Sequence, residues 1–330
     1  MAASARVFRT VDVFKRLAVV PPSSVRIVNH PVGRPVAVFN PALFLEGDEL
    51  VVLARVVLGY YKYVSAIAEF RLGLSDVLEG SVPEEVEARV VIWPRDWHDF
   101  WGAEDPRGTV VDGVRYVVYT GRTKNYFSDV HERTVPVIAR EAGGEWVKVG
   151  VVRHSRPEAV VSDKDAFIVR EGGHYFLFHR PHYGGTDFRL AVSKISGLAG
   201  EVVVRGAEEV LKPAVFEEKI GWGTPPVEVG SKERLLILHG VDKDLKVYRA
   251  FAALMRFDGG EPELVGVSGP YVMEPREAFE VYGDRPMVVF PCGAVRVDDS
   301  VLVAYGAADQ AVGFAVAKVS EVMDLMADVY

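Results

Sequence analysis

Apolar and polar positions alternate through most of the chain, in short runs rich in Val, Ile, Tyr and Phe. That period of two is the pattern of strands with one face buried. Spacing that suits a helix is confined to two windows, Asp12–Leu17 and Ser320–Ala327, and predicts short terminal helices there. Five times the alternation runs through a strand–turn–strand unit. Val36–Leu45 and Leu50–Val57 flank Glu46-Gly47-Asp48, and Thr109–Val111 and Val114–Thr120 flank Asp112-Gly113. Ala166–Val169 and Tyr175–His179 flank Glu171-Gly172-Gly173, and Pro226–Val229 and Arg234–His239 flank Gly230-Ser231-Lys232. Gly293–Val297 and Val301–Tyr305 flank Asp298-Asp299. Each turn carries the Gly, Asp or Ser that tight hairpins favour.

Successive turns are 66, 59, 59 and 67 residues apart. A recurring hairpin at that interval predicts blades, since four antiparallel strands fit in roughly 40–60 residues. The expected fold is all-β, a five-bladed β-propeller with short terminal helices, as one domain over residues 1–330. Two sandwiches are the rival, but they require no common period. Val82–Glu85 and Gly259–Glu263 read as loops between blades.

The hairpins share a second regularity. At or near the start of the first strand stand Asn40-Pro41, Glu104-Asp105-Pro106-Arg107, Lys164-Asp165, Thr224-Pro225-Pro226 and Pro291-Cys292. At the end of the second strand stand Arg55, Arg122, His179-Arg180, His239 and Asp309. In an antiparallel pair those two places lie at the same end. With the first strand innermost, Asn40, Arg55, Asp105, Arg107, Arg122, Lys164, Asp165, His179, Arg180, His239 and Asp309 are expected to converge on one mouth of a central channel. A single charge at a strand end is ordinarily solvated rim; a set repeating in phase across five units points to a shared polar site.

Composition narrows the function. The chain has 330 residues with 38 Lys+Arg and 46 Asp+Glu, a net charge of −8, which speaks against non-specific nucleic-acid binding. One cysteine, Cys292, excludes an intramolecular disulfide and any multi-cysteine zinc site. No apolar run is long enough for a membrane span, and the first nine residues show no secretory signal, so a cytoplasmic location is expected. Asparagine is limited to Asn29, Asn40 and Asn125, and glutamine to Gln310, a scarcity expected of heat-stable proteins. His174 and His179 fall on opposite faces of a strand and His182 follows Pro181; with no Glu or Cys to complete a set, no metal is expected there. Trp93, Trp97 and Trp101 crowd the stretch just before Glu104, either as a stacking wall for sugar rings or as core packing.

Several stretches together resemble glycoside hydrolase family 130, the five-bladed propellers of β-mannoside phosphorylases and related β-mannosidases. They are Phe39-Asn40-Pro41-Ala42, Glu104-Asp105-Pro106-Arg107, Lys164-Asp165-Ala166, His179-Arg180-Pro181 and Gly221-Trp222-Gly223-Thr224-Pro225-Pro226. Leu238-His239-Gly240-Val241, Tyr248-Arg249, Val289-Phe290-Pro291-Cys292-Gly293 and Tyr305-Gly306-Ala307-Ala308-Asp309 follow in the family's order. The resemblance implies that Asp105 is the proton donor, acting through a sugar hydroxyl. It also implies a phosphate clamp of Lys164 with Arg122 and Arg133, for which Lys124 or Arg140 are alternatives, supplemented by His239 and Arg180. Asn40, Arg55, Glu104, Arg107, Asp165, His179, Arg180 and Asp309 are the expected sugar-binding residues. The chain departs from the family at Ala139-Arg140-Glu141, at Cys292 and near Ser268–Glu274, which leaves the mannoside linkage open.

Glycoside cleavage by water uses two carboxylates. Phosphate is already an anion, so a phosphorylase manages with one acid and a cationic pocket. An acid working near neutral pH also needs burial or a neighbouring carboxylate to keep its proton. The expected reaction is inverting phosphorolysis of a β-mannoside to α-mannose 1-phosphate. The alternatives are hydrolysis, with Asp165 or Asp309 holding the water, and carbohydrate binding without turnover. The expected partners are a small oligosaccharide and phosphate, with no cofactor, nucleic acid or membrane; homo-oligomers are common in the resembled family.

Overall fold

Each of the five hairpins becomes the inner strand pair of a separate sheet. The computed structural model describes residues 5–125 and 133–328, in which five sheets are arranged as a five-bladed β-propeller. From the centre outward the first blade is Ala37–Glu46, Glu49–Val57, Ser65–Gly73 and Val86–Ile92, with Val25–Ile27 added in parallel. The second is Ala103–Val111, Val114–Arg122, Thr134–Ala142 and Glu145–His154, with Gly200–Val204 added in parallel. The third is Ser162–Glu171, His174–His182, Leu190–Ile195 and Glu208–Leu211. In the fourth, Glu217–Gly221 and Val227–Glu228 share the inner position beside Glu233–Asp242, followed by Tyr248–Arg256 and Glu263–Ser268. The fifth is Val289–Val297, Ser300–Ala307 and Ala311–Lys318.

Both faces of these sheets are covered, so the inner strands read as nearly continuous apolar runs such as Leu50–Val57. The five largest apolar clusters each lie between two neighbouring blades. Leu43 and Leu50 of the first meet Leu302 and Phe314 of the fifth, and Phe167 and Phe178 of the third meet Leu236 and Phe251 of the fourth. Burial between blades, not within one, is what closes the ring.

The two ends of the chain supply the last strands. Lys15–Val20 pairs antiparallel with Ala311–Lys318 as the outer strand of the fifth blade, and Met326–Asp328 pairs with Glu263–Ser268 in the fourth. This corrects the expected N-terminal helix at Asp12–Leu17. A six-residue helix has little to offset its nucleation cost, whereas the open edge of Ala311–Lys318 offers a row of backbone partners. At the other end a helix forms at Val319–Met323 before the closing strand begins. Val82–Glu85 and Gly259–Glu263 connect strands within the first and fourth blades, not between blades. No helix among the described residues is long and apolar enough to cross a membrane.

The closing N-terminal strand is fastened by a buried ion pair. Arg16 Nε donates to Glu280 Oε1 at 2.8 Å and Arg16 Nη1 to Asp12 Oδ1 at 2.8 Å, while the Tyr305 hydroxyl donates to Glu280 Oε1 at 2.6 Å. Arg16→Met leaves the Glu280 carboxylate buried without its cation, and is expected to lower stability by about 3–5 kcal/mol in urea denaturation. Pairing it with Glu280→Gln should restore most of that loss. A single-variant loss below about 1 kcal/mol would show that closure does not depend on this pair.

Candidate functional site

The inner strand of three blades carries one residue too many at the same place. Phe39 pairs with Arg55 but Ala42 with Leu53, Glu104 with Thr120 but Arg107 with Val118, and Lys164 with Arg180 but Phe167 with Phe178. Each is a β-bulge, and each holds a residue in the left-handed region: Asn40 at φ 49°, Asp105 at 49° and Asp165 at 55°. Asn and Asp tolerate that region better than other side chains with a Cβ. A bulge re-aims side chains that a regular strand would send elsewhere. Here it turns one amide and two carboxyls toward the same end of the channel.

Asp105 accepts from Asn40 Nδ2 at 2.8 Å and from Arg55 Nη1 at 3.2 Å, both on Oδ1. Its Oδ2 has no hydrogen-bond partner among the described residues and is reached by solvent. Asn40 fits only because position 306 is glycine: a Cβ there would lie 1.8 Å from Asn40 Oδ1. Behind Asp105, Glu104 accepts from Arg55 Nη2 at 3.0 Å and from Arg122 Nε at 2.9 Å. Burial alone would raise the Glu104 carboxyl, but Arg55 and Arg122 outweigh it and hold it well below the usual range.

Asp165 is enclosed by cations. Arg107 Nη2 donates to Oδ1 at 3.3 Å and Arg180 Nε to Oδ2 at 2.5 Å. Despite its burial, Arg180 and Arg107 keep this carboxyl well below its ordinary value. His239 Nε2 lies 3.6 Å from Oδ2. Burial, with Arg180 and Arg107 nearby, pushes the His239 ring down to about 3, so it is neutral at physiological pH. Its close approach requires Gly221, where a Cβ would sit 2.3 Å from His239 Nε2 and 2.5 Å from Asp165 Oδ2.

Around these anchors stand cations with no ion-pair partner among the described residues. Lys164 is half-buried, and burial followed by Arg122 and Arg180 brings it down to about 8. Arg133, also half-buried, lies near His182, which burial, Arg180 and Arg133 hold below its usual value. Asp309, in the left-handed region at φ 50°, has no hydrogen bond among the described residues. Burial, with Asp105 and Asp284 adding and Arg55 and Arg285 opposing, pushes its carboxyl up to about 6.

The structure therefore brings Asn40, Arg55, Glu104, Asp105, Arg107, Arg122, Lys164, Asp165, Arg180 and His239 into one network, with Arg133 and Asp309 beside it. It does not bring them all to a surface. Glu104, Arg107 and Asp165 are fully enclosed and act as struts behind the residues that face solvent. His179 departs furthest from expectation. Its ring is buried in the third blade, with Nδ1 2.7 Å from Asp163 Oδ2 and Nε2 2.8 Å from Ser193 Oγ. Neighbouring residues of a strand face opposite ways, so Arg180 and His179 cannot both reach the channel.

His174 is exposed at the hairpin and His182 stacks on Phe188, their centroids 3.9 Å apart, so His174, His179 and His182 are not gathered. Sequence reasoning missed a different trio, His154, Asp163 and His179. His154 Nε2 lies 2.8 Å from the same Asp163 Oδ2 that His179 reaches, an arrangement that hydrogen bonding accounts for. Lys219, Arg285 and Tyr63 were also missed, because no repeated motif marks them; Tyr248 was marked by the resemblance but given no role. The tryptophan stretch divides. Trp93 packs against the cluster between the first and fifth blades, Trp97 and Phe100 are exposed, and the Trp101 amide donates to the Arg122 carbonyl beside the site.

Comparison with known proteins adds to this geometry. The family model of glycoside hydrolase family 130, described as beta-1,4-mannooligosaccharide phosphorylase, matches residues 4–328. A beta-1,2-mannobiose phosphorylase of Thermoanaerobacter sp. (strain X514) is 28% identical over 333 residues, covering 88% of this chain and 96% of that enzyme. A beta-1,4-mannooligosaccharide phosphorylase of Ruminococcus albus is 31% identical over 163 residues, 46% of each chain. Among solved structures, beta-1,2-mannobiose phosphorylase from Listeria innocua, in complex with beta-1,2-mannobiose, superposes with a TM-score of 0.70 at 17% identity, over 92% of this chain and 96% of that one. That last likeness concerns the fold.

The Asp309 carboxyl is open to a direct check by carbon-detected NMR titration. Its midpoint is expected near 6. Arg55→Met and Arg285→Met each remove a cation that opposes the shift, and each should move the midpoint up. Because the folded carboxyl keeps its proton to higher pH than the unfolded one, its contribution to stability falls as pH rises from about 4 to about 6. A midpoint near 4, unmoved in Arg55→Met, would contradict this electrostatic arrangement.

Proposed function

The chain belongs to glycoside hydrolase family 130, and on that premise we propose that it cleaves a β-mannoside with inorganic phosphate. The products are α-mannose 1-phosphate and the sugar that carried the mannosyl unit. One observation carries this reading. The site offers Asp105 Oδ2, a carboxylate oxygen without a hydrogen-bond partner among the described residues, beside Lys164 and Arg133, which lack carboxylate partners there, while Asp165 has both oxygens on arginines. Asp165 is thereby poorly placed to activate water, which leaves the hydrolytic alternative only Asp309 as its base.

The steps follow from these groups. Lys164, Arg133 and the Glu104-anchored Arg122 hold phosphate, whose desolvation they offset. A phosphate oxygen forms a bond to the anomeric carbon as the glycosidic C–O bond breaks, through a transition state with positive charge on the ring. The leaving oxygen takes the proton of Asp105, passed across a sugar hydroxyl as in the resembled family. The resulting carboxylate is stabilised by the Asn40 amide and the Arg55 guanidinium, already in place on Oδ1. Attack on the face opposite the leaving group inverts the anomeric centre. Phosphate is the co-substrate, and no other cofactor enters the scheme. The relatives' substrates support both β-1,2 and β-1,4 linkages as candidates.

The experiment is incubation of β-1,2- and β-1,4-mannobiose with and without inorganic phosphate. Mannose 1-phosphate should form from at least one of them, and only when phosphate is present. Asp105→Asn should lower kcat by roughly 10²–10⁴ with an unchanged circular dichroism spectrum. Free mannose at a rate indifferent to phosphate would overturn the proposal in favour of hydrolysis. Binding without turnover of either sugar would overturn it in favour of a carbohydrate-binding propeller.

A further inference from the structure

A second group of cations, Lys219 and Arg285, stands near Arg180. Lys219 lies on the inner strand Glu217–Gly221 of the fourth blade. It is two residues from Gly221, whose missing Cβ faces His239 and Asp165. Residues two apart on a strand share a face, so Lys219 also points into the channel. Its Nζ lies 5.7 Å from the Phe188 ring and 5.7 Å from the Tyr248 ring. Arg180 stands over the same Phe188 ring at 5.4 Å, and Arg285 over the same Tyr248 ring at 4.5 Å. Three cations and two aromatic rings thus alternate in sequence: Arg180, Phe188, Lys219, Tyr248, Arg285.

The local charge is not balanced. Lys219 and Arg285 form no ion pair among the described residues, and of the nearby acids only Asp309, which lies near Arg55 as well as Arg285 and is pushed up to about 6 chiefly by burial, is not engaged elsewhere. Glu218 pairs with Lys246 at 2.6 Å, Asp284 accepts from the Tyr63 hydroxyl at 2.8 Å, and Asp165 is shared between Arg180 and Arg107. Burial, then Arg180 and Arg285, bring Lys219 down to about 8, the direction expected of a cation held among cations with no anion present. Keeping such a group half-buried is costly unless an anion arrives to share it. The aromatic faces offset part of that cost, and they also present a surface against which a sugar ring can lie.

We propose that Lys219 and Arg285, with Arg180 between them and the phosphate clamp, form a second oxyanion subsite. It takes a phosphate group, either free inorganic phosphate or a phosphate carried by the sugar. The subsite is contributed by the third, fourth and fifth blades, whereas Arg122, Arg133 and Lys164 come from the second and third. It does not require that phosphate be the nucleophile, so it stands or falls separately from phosphorolysis.

The test is calorimetric titration of wild-type protein and of Lys219→Met, Arg285→Met and Lys219→Arg with three probes: inorganic phosphate, mannose 6-phosphate and mannose. Arg285 is exposed, so its replacement leaves the fold intact, and Lys219→Met removes a charge from a half-buried position. Each Met variant should weaken a phosphate-bearing probe tenfold or more, while mannose binding changes less than twofold and Lys219→Arg retains most of the affinity. Loss confined to mannose 6-phosphate identifies a sugar-borne phosphate as the occupant; loss of inorganic phosphate as well identifies the free ion. Lys164→Met serves as the control that removes the other cluster. If neither Met variant alters either phosphate-bearing probe by more than twofold, the subsite is refuted, whatever the outcome of the phosphorolysis assay.

Discussion

One guanidinium with no exposed surface ties the centre of the propeller together. Arg107 belongs to the inner strand of the second blade. It donates to the Asp105 carbonyl at 3.0 Å within its own strand, to Asp165 Oδ1 at 3.3 Å in the third blade, and to the Trp222 and Gly223 carbonyls at 2.9 and 2.8 Å in the fourth. It also lies over the Phe290 ring of the fifth blade at 5.6 Å. The planar, permanently charged fork suits several acceptors in one plane. A buried arginine without those acceptors would be strongly destabilising. The contacts therefore fix where the blades meet, and with them the placing of Asp105 and Asp165. The polar centre and the apolar clusters between blades are parts of one closure.

From that centre the electrostatics sort into two kinds of group. Glu104 and Asp165 are fully paired, hold their charge firmly and serve as anchors. Asp105, Asp309, Lys164, Lys219 and Arg285 are under-paired and stand around those anchors. The under-paired groups carry the chemistry because the anchors leave them no alternative arrangement. Asp309 and Asp105 are neighbouring carboxyls of which one resists ionisation, and Lys164 is a cation made easier to deprotonate by its cationic neighbours.

Much of this was legible in the chain. The period-two runs and their Gly- and Asp-bearing turns marked all five inner hairpins, because hairpins are local. The closing strand Lys15–Val20 was not legible, because its partner lies some 300 residues away and the window Asp12–Leu17 that overlaps its start carries a helical spacing. Asn40, Asp105 and Asp165 were visible as repeated motif positions, and their residue types suit the left-handed bulge, although the bulge itself left no separate signal. His179 was misplaced because adjacency to Arg180 was taken as shared orientation, which strand geometry forbids. Lys219 and Arg285 escaped because a charge outside a repeating motif looks like any solvated one. Their role emerges only when the ring of blades sets them over Tyr248.

In the proposed reaction phosphate, not water, makes the new bond to the anomeric carbon. The most direct measurement is mass spectrometry of the product formed from β-mannobiose in ordinary water with phosphate labelled at all of its oxygens with ¹⁸O. Phosphorolysis yields mannose 1-phosphate that retains every labelled oxygen, including the one bridging carbon and phosphorus, with no label in free mannose. Mannose whose anomeric oxygen comes from water, with the labelled phosphate left unused, would contradict it.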